Sequence, residues 1–586
     1  MRTLLLHPAD DPETGPWAGQ AWTRIIDLGL GGSNTYDHWQ RRFRCKVVSL
    51  SSYRRDFQEA ARVRELLAMG QGQLVDRDGL DWWELTAILV HSQLETLVLL
   101  QRLVDSLERG EELHITRSGF YADALGLLLG SRVSTFPTKD GSQWGPVRYL
   151  QLGIKFPLWQ LAQMFWDKYD PEHQIRGRFA RKARPSRVPV VLLPSAYVNV
   201  TRTGIAYAKT VPDLKFLLVA TRKSGWAENL PPNVSASWFA AYASLRPDYP
   251  ANDCEEIIAK WKVLRPALEE IPEIGMLGRL GLMNGFPAWL KQGIKQRDIW
   301  KAVLRDEPVQ AVLCADDSNP STHIPVLLAR KSGLPAIACH HGALDGRYMI
   351  KQNHADVVLA KGKMEEDYLV RVCGVPAGEV EIGAPARSAG PPLAGTRDAA
   401  AIILFSELYE AFSGRSEEFY RDVLPPLAEL AIQTGKRLVV KLHPAESQRE
   451  RQRLVNRVLS PGQRSMLTVM GGSTTPELLK TVWFGITVLS TVASECAELG
   501  IPCFLCKWLE FWPYGYIDQF IRFGVGHGLD SPAEIAQIPQ ILETYKVGAN
   551  VAQAVSRPIE VRRLQQLLTT GPARAAVAQN VVERAG

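Results

Sequence analysis

Two loops in the last third of the chain, each at the end of an apolar run, constrain the fold more than any other feature. Residues 437–442 form a short apolar run typical of a buried strand, and His443-Pro444 follows directly. Proline does not continue a central strand, so His443 is expected in the loop at the strand's carboxyl end. Open α/β sheets bind ligands at that edge. The pattern therefore predicts a parallel sheet that carries an imidazole at its ligand-binding edge.

The second loop follows the apolar run 486–489. A predicted helix begins in Ser490-Thr491-Val492-Ala493-Ser494-Glu495 and ends at Gly500-Ile501-Pro502, just before the next apolar run, 503–506. Hydroxyl groups at a helix start either cap the free N–H groups or contact a bound phosphate. Both interpretations stay open for Ser490 and Thr491. Two such loops on adjacent strands would hold one anion between them.

These residues carry a resemblance to a known family. Lys441-Leu442-His443-Pro444 on a strand, followed by Ser490-Thr491, Glu495, Gly500 and Pro502 at their spacing, resembles the carboxyl-terminal domain of GT-B-fold glycosyltransferases. The likeness is to the bacterial enzymes that build capsules, teichoic-acid-like polymers and other surface carbohydrates. Related sheets occur in non-hydrolysing nucleotide-sugar 2-epimerases. Upstream, residues 336–342, 356–360 and 380–385 look like the end of the amino-terminal domain in the same group.

The resemblance covers roughly residues 309–540 and implies a fold class. That class is α/β, with two Rossmann-like parallel-sheet domains facing a cleft (GT-B-like) and a helical insertion in the amino-terminal half. A chain of 586 residues is also too long for one ordinary core. The predicted bounds are an acceptor domain at 1–385 with insertions at about 144–187 and 225–305, a nucleotide-sugar-binding domain at 398–545, and helices at 546–586 that pack back across the linker.

Composition excludes several other classes of protein. Apolar residues make up 46% and charged residues 22%, which is typical of a soluble globular protein. A net charge of +6 is small for this length and does not indicate a nucleic-acid partner. Most of the 8 cysteines lie in apolar runs, as reduced core thiols do. Cys503 and Cys506 form a lone pair inside a predicted strand, so no metal site and no cofactor is expected.

The localisation expected from the sequence is cytoplasmic. The apolar start, Met1 to Pro8, is too short for a signal peptide, and no apolar run approaches the length of a membrane span. A segment at 156–187 leaves two interpretations open: a core helix followed by a solvated basic loop, or a peripheral anchor on the anionic inner face of the cytoplasmic membrane. Its aromatic and basic residues are Phe156, Trp159, Phe165, Trp166, Tyr169, Arg176, Arg178, Arg181, Lys182, Arg184 and Arg187.

A glycine-rich loop, Asp27 to Ser33, follows an apolar run near the amino terminus. No clean helix start follows the glycines, so a dinucleotide fingerprint is not predicted. In the proposed fold such a loop lies near the cleft and faces donor or acceptor. The alternative is a turn without a ligand.

The candidate donor-binding residues lie in and around the two loops. An imidazole and a helix amino terminus can stabilise a leaving phosphate without a metal, and no convincing Asp-x-Asp metal pattern occurs in the carboxyl-terminal half. The resemblance favours Glu495 over Ser494 as a contact to the ribose, whereas Lys441 either adds charge or points to the other face of its strand. Arg415 is left open between ligand contact and surface. The full set is His443, Pro444, Ser490, Thr491, Ser494, Glu495, Lys441 and Arg415.

Two residues compete for the role of catalytic base. His341 ends a predicted strand before Gly342, as in the surface-polymer transferases it resembles, and an unperturbed imidazole titrates near ~6.5. Asp316 ends the preceding predicted strand and either serves as the base or orients His341. His340 is expected to point into the core, because neighbouring strand side chains alternate.

Together these features predict an inverting, metal-independent glycosyltransferase in bacterial surface polysaccharide biosynthesis. Its partners would be a nucleotide sugar and a glycan or lipid-linked acceptor. The His-Pro and Ser-Thr motifs resemble those of enzymes that use cytidine-activated sugars, which favours CMP or CDP. Asp316-Asp317 is followed by Ser318 instead of the glycine of the acidic loop in sialyl and Kdo transferases. Two alternatives stay open: a nucleotide-sugar 2-epimerase, and a non-catalytic carbohydrate-assembly protein of the same fold.

Overall fold

The structure is a computed structural model. It describes residues 1–29, 31–55, 57–136, 188–243, 252–386, 399–407, 409, 416–444, 446–472, 474–509, 514–548 and 550–571. Arg415 and the aromatic and basic segment at 156–187 lie outside the described residues.

Three sheets make up the framework, and adjacent strands pair in parallel throughout the described parts of each sheet. The five-stranded sheet has the order β3-β2-β1-β4-β5, the seven-stranded sheet β12-β11-β10-β9-β6-β7-β8, and the six-stranded sheet β15-β14-β13-β16-β17-β18. The strands are β1 Arg2–Leu6, β2 Arg24–Asp27, β3 Lys46–Ser49, β4 Glu112–Ile115, β5 Val133–Thr135, β6 Val190–Ser195, β7 Lys215–Ala220, β8 Val234–Trp238, β9 Val309–Cys314, β10 Ala336–Cys339, β11 Val357–Ala360, β12 Val380–Ile382, β13 Ala401–Phe405, β14 Arg437–Lys441, β15 Leu467–Met470, β16 Val482–Thr487, β17 Cys503–Cys506 and β18 His527–Leu529.

Helices connect the strands, as parallel pairing requires. Those described are α1 Ser33–Phe43, α2 Gln58–Ala68, α3 Trp82–Ala87, α4 His91–Asp105, α5 Phe120–Leu129, α6 Val198–Thr210, α7 Asn252–Glu269, α8 Pro272–Arg279, α9 Phe286–Asp306, α10 Pro320–Lys331, α11 Lys363–Asp367, α12 Ser416–Thr434, α13 Gln448–Val458, α14 Pro476–Lys480, α15 Val492–Glu498, α16 Tyr516–Arg522, α17 Ile538–Thr544, α18 Val551–Val555 and α19 Val561–Thr570.

The chain divides into two compact units. The first unit comprises residues 1–60, 95–144 and 389–555, and the second comprises 61–94, 145–388 and 556–586. The five- and six-stranded sheets belong to the first unit, and the seven-stranded sheet belongs to the second. Residues 1–385, predicted as one acceptor domain, thus contain two separate sheets.

The second unit is built around β6, β7 and β9. These strands are apolar along nearly their whole length because helices cover both faces of a parallel sheet. Val191, Leu193, Phe216 and Leu218 are at most 2% exposed. Three leucines of α19 join the same core, so the carboxyl-terminal helix completes the second unit: Leu564, Leu567 and Leu568.

The predicted helical insertion at 225–305 is correct only in its later part. Helices α7 to α9 occupy residues 252–306, but β8 precedes them and pairs with β7 along its whole length. In β8, Val234, Ser237 and Trp238 are buried and Ser235 is exposed, so the exposed position lies near the start of this edge strand. The helix formers and tryptophans of residues 225–305 indicated a helical insertion, and this short strand was missed.

The predicted α/β class with Rossmann-like parallel sheets is confirmed. Within the described residues, no helix is long and apolar enough to cross a membrane.

Candidate functional site

Three neighbouring strand ends of the second unit form a cluster of polar side chains. In the sheet order β6, β9 and β10 are adjacent, and parallel strands end at the same edge. Tyr197 follows β6, Asp316 follows β9, and His341 follows β10. The topology therefore brings together two residues predicted from sequence and one that was not.

Tyr197 stands between the two predicted candidates. Its hydroxyl donates to Asp316 Oδ2 at 2.5 Å and lies 3.4 Å from each ring nitrogen of His341. The two rings meet edge to face, with centroids 5.3 Å apart. Burial and the neighbouring Asp316 carboxylate raise the pKa of Tyr197. The hydroxyl therefore stays protonated and acts as a hydrogen-bond donor. Asp316 thus holds Tyr197, and Tyr197 contacts the imidazole.

His341 and His340 differ in their surroundings. Burial lowers the pKa of His341, while the charges of Asp316 and Asp345 oppose that shift. His340 is 8% exposed, neither of its ring nitrogens has a hydrogen-bond partner among the described residues, and burial lowers its pKa well below the usual value. Only His341 is partly exposed, which agrees with the inward orientation expected of His340.

Arg347 adds a fixed cation to the cluster. Its Nε donates to Asp345 Oδ1 at 2.9 Å, and its Nη2 lies 3.5 Å from Asp316 Oδ1. Burial alone would lower the pKa of Arg347, but the two carboxylates raise it, so the guanidinium is permanently charged. The arginine in turn lowers the pKa of Asp345 well below its usual range against the effect of burial. Two carboxylates therefore surround one arginine.

Asp317 belongs to a different contact set from Asp316. It accepts hydrogen bonds from Tyr348 at 2.7 Å and from Lys351 at 2.6 Å, and all three side chains are buried. Burial would raise the pKa of Asp317, but Lys351 and His323 lower it. Both hydrogen bonds end on Oδ1, and Oδ2 is buried without a hydrogen-bond partner among the described residues. Asp317 therefore holds the loop that carries Tyr348 and Lys351.

In the first unit, His443 follows β14 as predicted and is exposed together with Pro444. Partial burial lowers the pKa of His443, Glu446 raises it, and Lys441 lowers it. The pKa of His443 is lowered overall, so its imidazole ring is neutral at neutral pH. A neutral imidazole offers a ligand one N–H donor and one acceptor, not a full positive charge.

A buried carboxylate fixes the main chain of this loop. The Glu446 side chain is 0% exposed, and its Oε2 accepts from the His443 N–H at 2.7 Å. Its Oε1 accepts from Ser406 Oγ at 2.9 Å and from Arg451 Nε at 2.7 Å. Arg451 also lies over the ring of Tyr420, 5.8 Å from its centroid. Ser406, Glu446 and Arg451, which the sequence analysis missed, hold the His-Pro turn in place.

The second predicted loop is held by Glu407. This buried side chain accepts from the Thr487 hydroxyl at 2.6 Å and from the amides of Val488 and Leu489 at 3.2 and 2.9 Å. Burial raises the pKa of Glu407 and these donors lower it, with the amide of Ser490 among them. The main chain just before the predicted phosphate-binding helix start is therefore held by a protein carboxylate.

Helix α15 also differs from the predicted phosphate-binding helix start. It has seven residues, and the amides of Ala493 and Ser494 donate to the carbonyls of Ser490 and Thr491. The amide of Val492 donates to Ser490 Oγ at 3.4 Å, which is the capping alternative. Of Ser490 and Thr491, Thr491 is the exposed residue, so a ligand in solvent can reach its hydroxyl group.

Three other predicted donor contacts have distinct positions. The Lys441 ammonium is buried and donates to the carbonyls of Leu442 and Gly472 at 2.8 and 2.6 Å, and burial lowers its pKa. Lys441 thus joins two loops of the sheet. The Ser494 hydroxyl is buried without a hydrogen-bond partner among the described residues, whereas Glu495 is exposed.

The glycine-rich loop of the first unit meets carboxylates of α12. The amides of Ser33 and Asn34 donate to Asp422 at 2.5 and 3.2 Å. A Cβ on Gly32 would lie 2.9 Å from the same carboxyl group, so the close approach requires glycine. Burial raises the pKa of Asp422 to about 6. These amides hold the loop to α12. Helix α1 begins at Ser33 directly after the glycines, so the expectation that no clean helix start follows them is wrong.

A cavity of about 490 Å³ lies elsewhere in the first unit. Gly500 and Pro502 in its wall precede β17, so it opens at the amino ends of the strands. That edge is opposite to the one where parallel sheets bind ligands. Among the described residues, no group of three or more histidine, cysteine, aspartate or glutamate side chains is placed to hold a metal ion.

No protein-family model matches the sequence, and no curated protein matches it. Solved structures similar to this chain include UDP-GlcNAc 2-epimerase from Methanocaldococcus jannaschii, at 12% identity and a TM-score of 0.41 over 65% of this chain and 99% of that one. A putative UDP-N-acetylglucosamine 2-epimerase from Listeria monocytogenes has 12% identity and a TM-score of 0.40 over 68% and 98%. The calicheamicin glycosyltransferase CalG4 has 13% identity and a TM-score of 0.37 over 68% and 98%.

Proposed function

We propose that this chain is an inverting, metal-independent glycosyltransferase. It transfers a sugar from a nucleotide-activated donor, with CMP or CDP favoured, to a glycan or lipid-linked acceptor in bacterial surface polysaccharide biosynthesis. The observation that carries the proposal is the partly exposed His341 imidazole at a strand end, in contact with a tyrosine that Asp316 holds.

His341 is the proposed general base. Because burial lowers its pKa, the imidazole is neutral at neutral pH, and a ring nitrogen can accept the proton of an acceptor hydroxyl. The deprotonated oxygen then attacks the sugar carbon while the bond to the leaving phosphate breaks. The charge of Asp316 stabilises the imidazolium that forms, so Asp316 acts through the electrostatics of the site.

The charge balance of the cluster supports a neutral acceptor group. Asp316 and Asp345 are both close to Arg347, so two negative charges face one positive charge. Such a site disfavours a phosphate or carboxylate through like-charge repulsion. A sugar hydroxyl is neutral until its proton moves to His341, and it suits this environment.

The donor's phosphate is assigned to the His443 loop of the first unit. His443 follows β14 and Thr491 follows β16, and β13 lies between these two strands, so they are not adjacent as the sequence predicted. Both residues are exposed and offer an N–H and an O–H donor. The preference for cytidine rests on the likeness of the His-Pro and Ser-Thr motifs alone. An acceptor on a lipid would place the protein at the inner face of the cytoplasmic membrane.

Thermal unfolding with CMP, CDP, UDP and GDP tests this function first, with AMP and ADP as controls that carry the same mono- and diphosphate groups. A nucleotide at 100 times its dissociation constant stabilises the folded chain by about 2.7 kcal/mol. Product analysis with the activated sugar then follows, with and without a glycan acceptor. Conversion of the sugar without acceptor would indicate a 2-epimerase, and no stabilisation by any nucleotide would indicate a non-catalytic protein.

A further inference from the structure

Two stacked tryptophans lie at the same edge of the second unit's sheet as His341. Trp238 ends β8, and Trp226 lies in the loop after β7. Their rings are 4.2 Å apart between centroids and only 5° from parallel. Trp238 is 5% exposed, whereas Trp226 is partly exposed. The inner ring is thus a buried backing for an outer ring that solvent reaches.

The loop that carries Trp226 is fixed against the chain leading to Tyr197. Ser224 Oγ donates to the Ala196 carbonyl at 3.0 Å, and the Gly225 carbonyl accepts from Thr201 Oγ1 at 2.6 Å. A Cβ on Gly225 would lie 2.9 Å from the Ser195 carbonyl oxygen, so this approach requires glycine. The position of Trp226 is therefore set relative to the loop that bears Tyr197.

The order of strands in the sheet indicates how far the Trp226 loop lies from the loop that carries Asp316. β6 lies between β9 and β7, so the Trp226 loop is two strands from the strand that ends before Asp316. Two strand spacings amount to about 10 Å. An aromatic ring at that distance is too remote to contact the reacting hydroxyl itself. It is suitably placed to contact the next unit of a chain-like acceptor.

From this geometry we infer that Trp226, backed by Trp238, is a carbohydrate-binding platform for a pyranose ring of the acceptor, one sugar unit away from the reacting one. The face of an aromatic ring is negative, and the C–H groups on the apolar face of a pyranose are its electropositive partners. Arg222 and Glu228, exposed in the same loop, supply polar groups of both signs for the sugar hydroxyls. The inference rests on the proposed function and specifies the acceptor as a glycan.

Saturation-transfer NMR with the full chain tests this platform. The probes are methyl pyranosides of glucose, galactose and mannose, with sorbitol as a polyol that has no ring. We expect transfer to ring protons of at least one pyranoside and none to sorbitol. Trp226→Leu keeps an apolar side chain but removes the aromatic face, and it should weaken binding roughly two- to tenfold, whereas Trp226→Phe should retain most of it.

Trp483→Ala is the matched control, because Trp483 is a partly exposed tryptophan of β16 in the first unit. It should leave pyranoside binding unchanged. A Trp226→Leu variant that binds the pyranosides as well as the wild type would overturn the platform, as would a wild-type chain that binds none of them. Nucleotide binding is measured separately, so loss of the pyranoside site and failure of the transferase proposal give different results.

Discussion

His341 and His443 both follow a buried parallel strand, yet the structure surrounds them differently. His341 has charged and polar neighbours brought from other parts of the chain, namely Tyr197 from the end of β6 and Asp316 from the end of β9. His443 is exposed, and its main chain is fixed by Glu446, three residues later. The sheet topology determines the neighbours of the His341 imidazole, whereas the local turn determines the position of His443.

This difference assigns different chemistry to the two histidines. A partly buried imidazole near a carboxylate has a proton affinity set by its surroundings and a defined orientation, which proton transfer requires. An exposed, neutral imidazole on a rigid turn is suited to a hydrogen bond with a ligand. If this assignment is correct, substitutions at His341 should lower kcat and substitutions at His443 should lower nucleotide affinity.

The largest effect is expected for His341→Ala. Removing a general base typically lowers the rate 10²–10⁴-fold, so kcat should fall by about that factor once a donor is known. Donor affinity should change little, because the phosphate is assigned to the His443 loop. Steady-state kinetics at varied donor concentration measures both quantities. Wild-type turnover in His341→Ala would remove this residue from the mechanism.

Glu446→Ala should give the largest loss of stability in the first unit. The substitution removes the Glu446 carboxylate from its ion pair with Arg451, whose side chain is only 10% exposed. Breaking a buried ion pair in this way costs about 3 kcal/mol or more. Denaturant unfolding measures the change. Glu450→Ala is the control, since Glu450 is exposed on α13, and it should alter the unfolding free energy by less than about 0.5 kcal/mol.

Glu446 also shows where prediction from sequence succeeds and where it ends. The strand predicted at 437–442 is observed at 437–441, and the loop positions of His443 and His341 were also predicted, because apolar runs and Pro or Gly stops are local signals. β18, at 527–529, was missed, since its glycine and histidine give no apolar run. Short edge strands are defined by their pairing partner and not by composition.

The roles of individual polar residues were harder to predict than their positions. Lys441 lies on its strand as expected, but it bonds inward to other loops, as does Glu407 beside the end of β13. Tyr197 acquires its role from a carboxylate more than a hundred residues away in sequence. The position of a residue in the sequence indicates at which edge of the sheet it lies. Its hydrogen-bond partner depends on how side chains from different strands pack together.

His443→Ala should lower nucleotide affinity and leave the fold intact. Loss of one hydrogen bond to a charged group costs roughly 1.5–3 kcal/mol, which is about 10- to 150-fold in the dissociation constant. Calorimetric titration with the nucleotide that gives the largest thermal shift measures it. His38→Ala is the control, because His38 is an exposed histidine of the same unit, paired with Glu13. Equal affinity of His443→Ala and wild type would contradict the phosphate assignment.

The smallest effect, and the most specific to the buried cluster, is expected for Asp316→Asn. The Asp316 charge raises the pKa of His341 against the effect of burial. Without that charge the pKa of His341 falls, so the acidic limb of the kcat profile should move to lower pH. Asparagine can still accept the Tyr197 hydrogen bond, so the ring contact is kept. The plateau rate should also fall, because the imidazolium loses its counter-charge. An acidic limb that stays in place or moves to higher pH would show that Asp316 does not control His341, and that the two strand-end histidines differ less than their surroundings indicate.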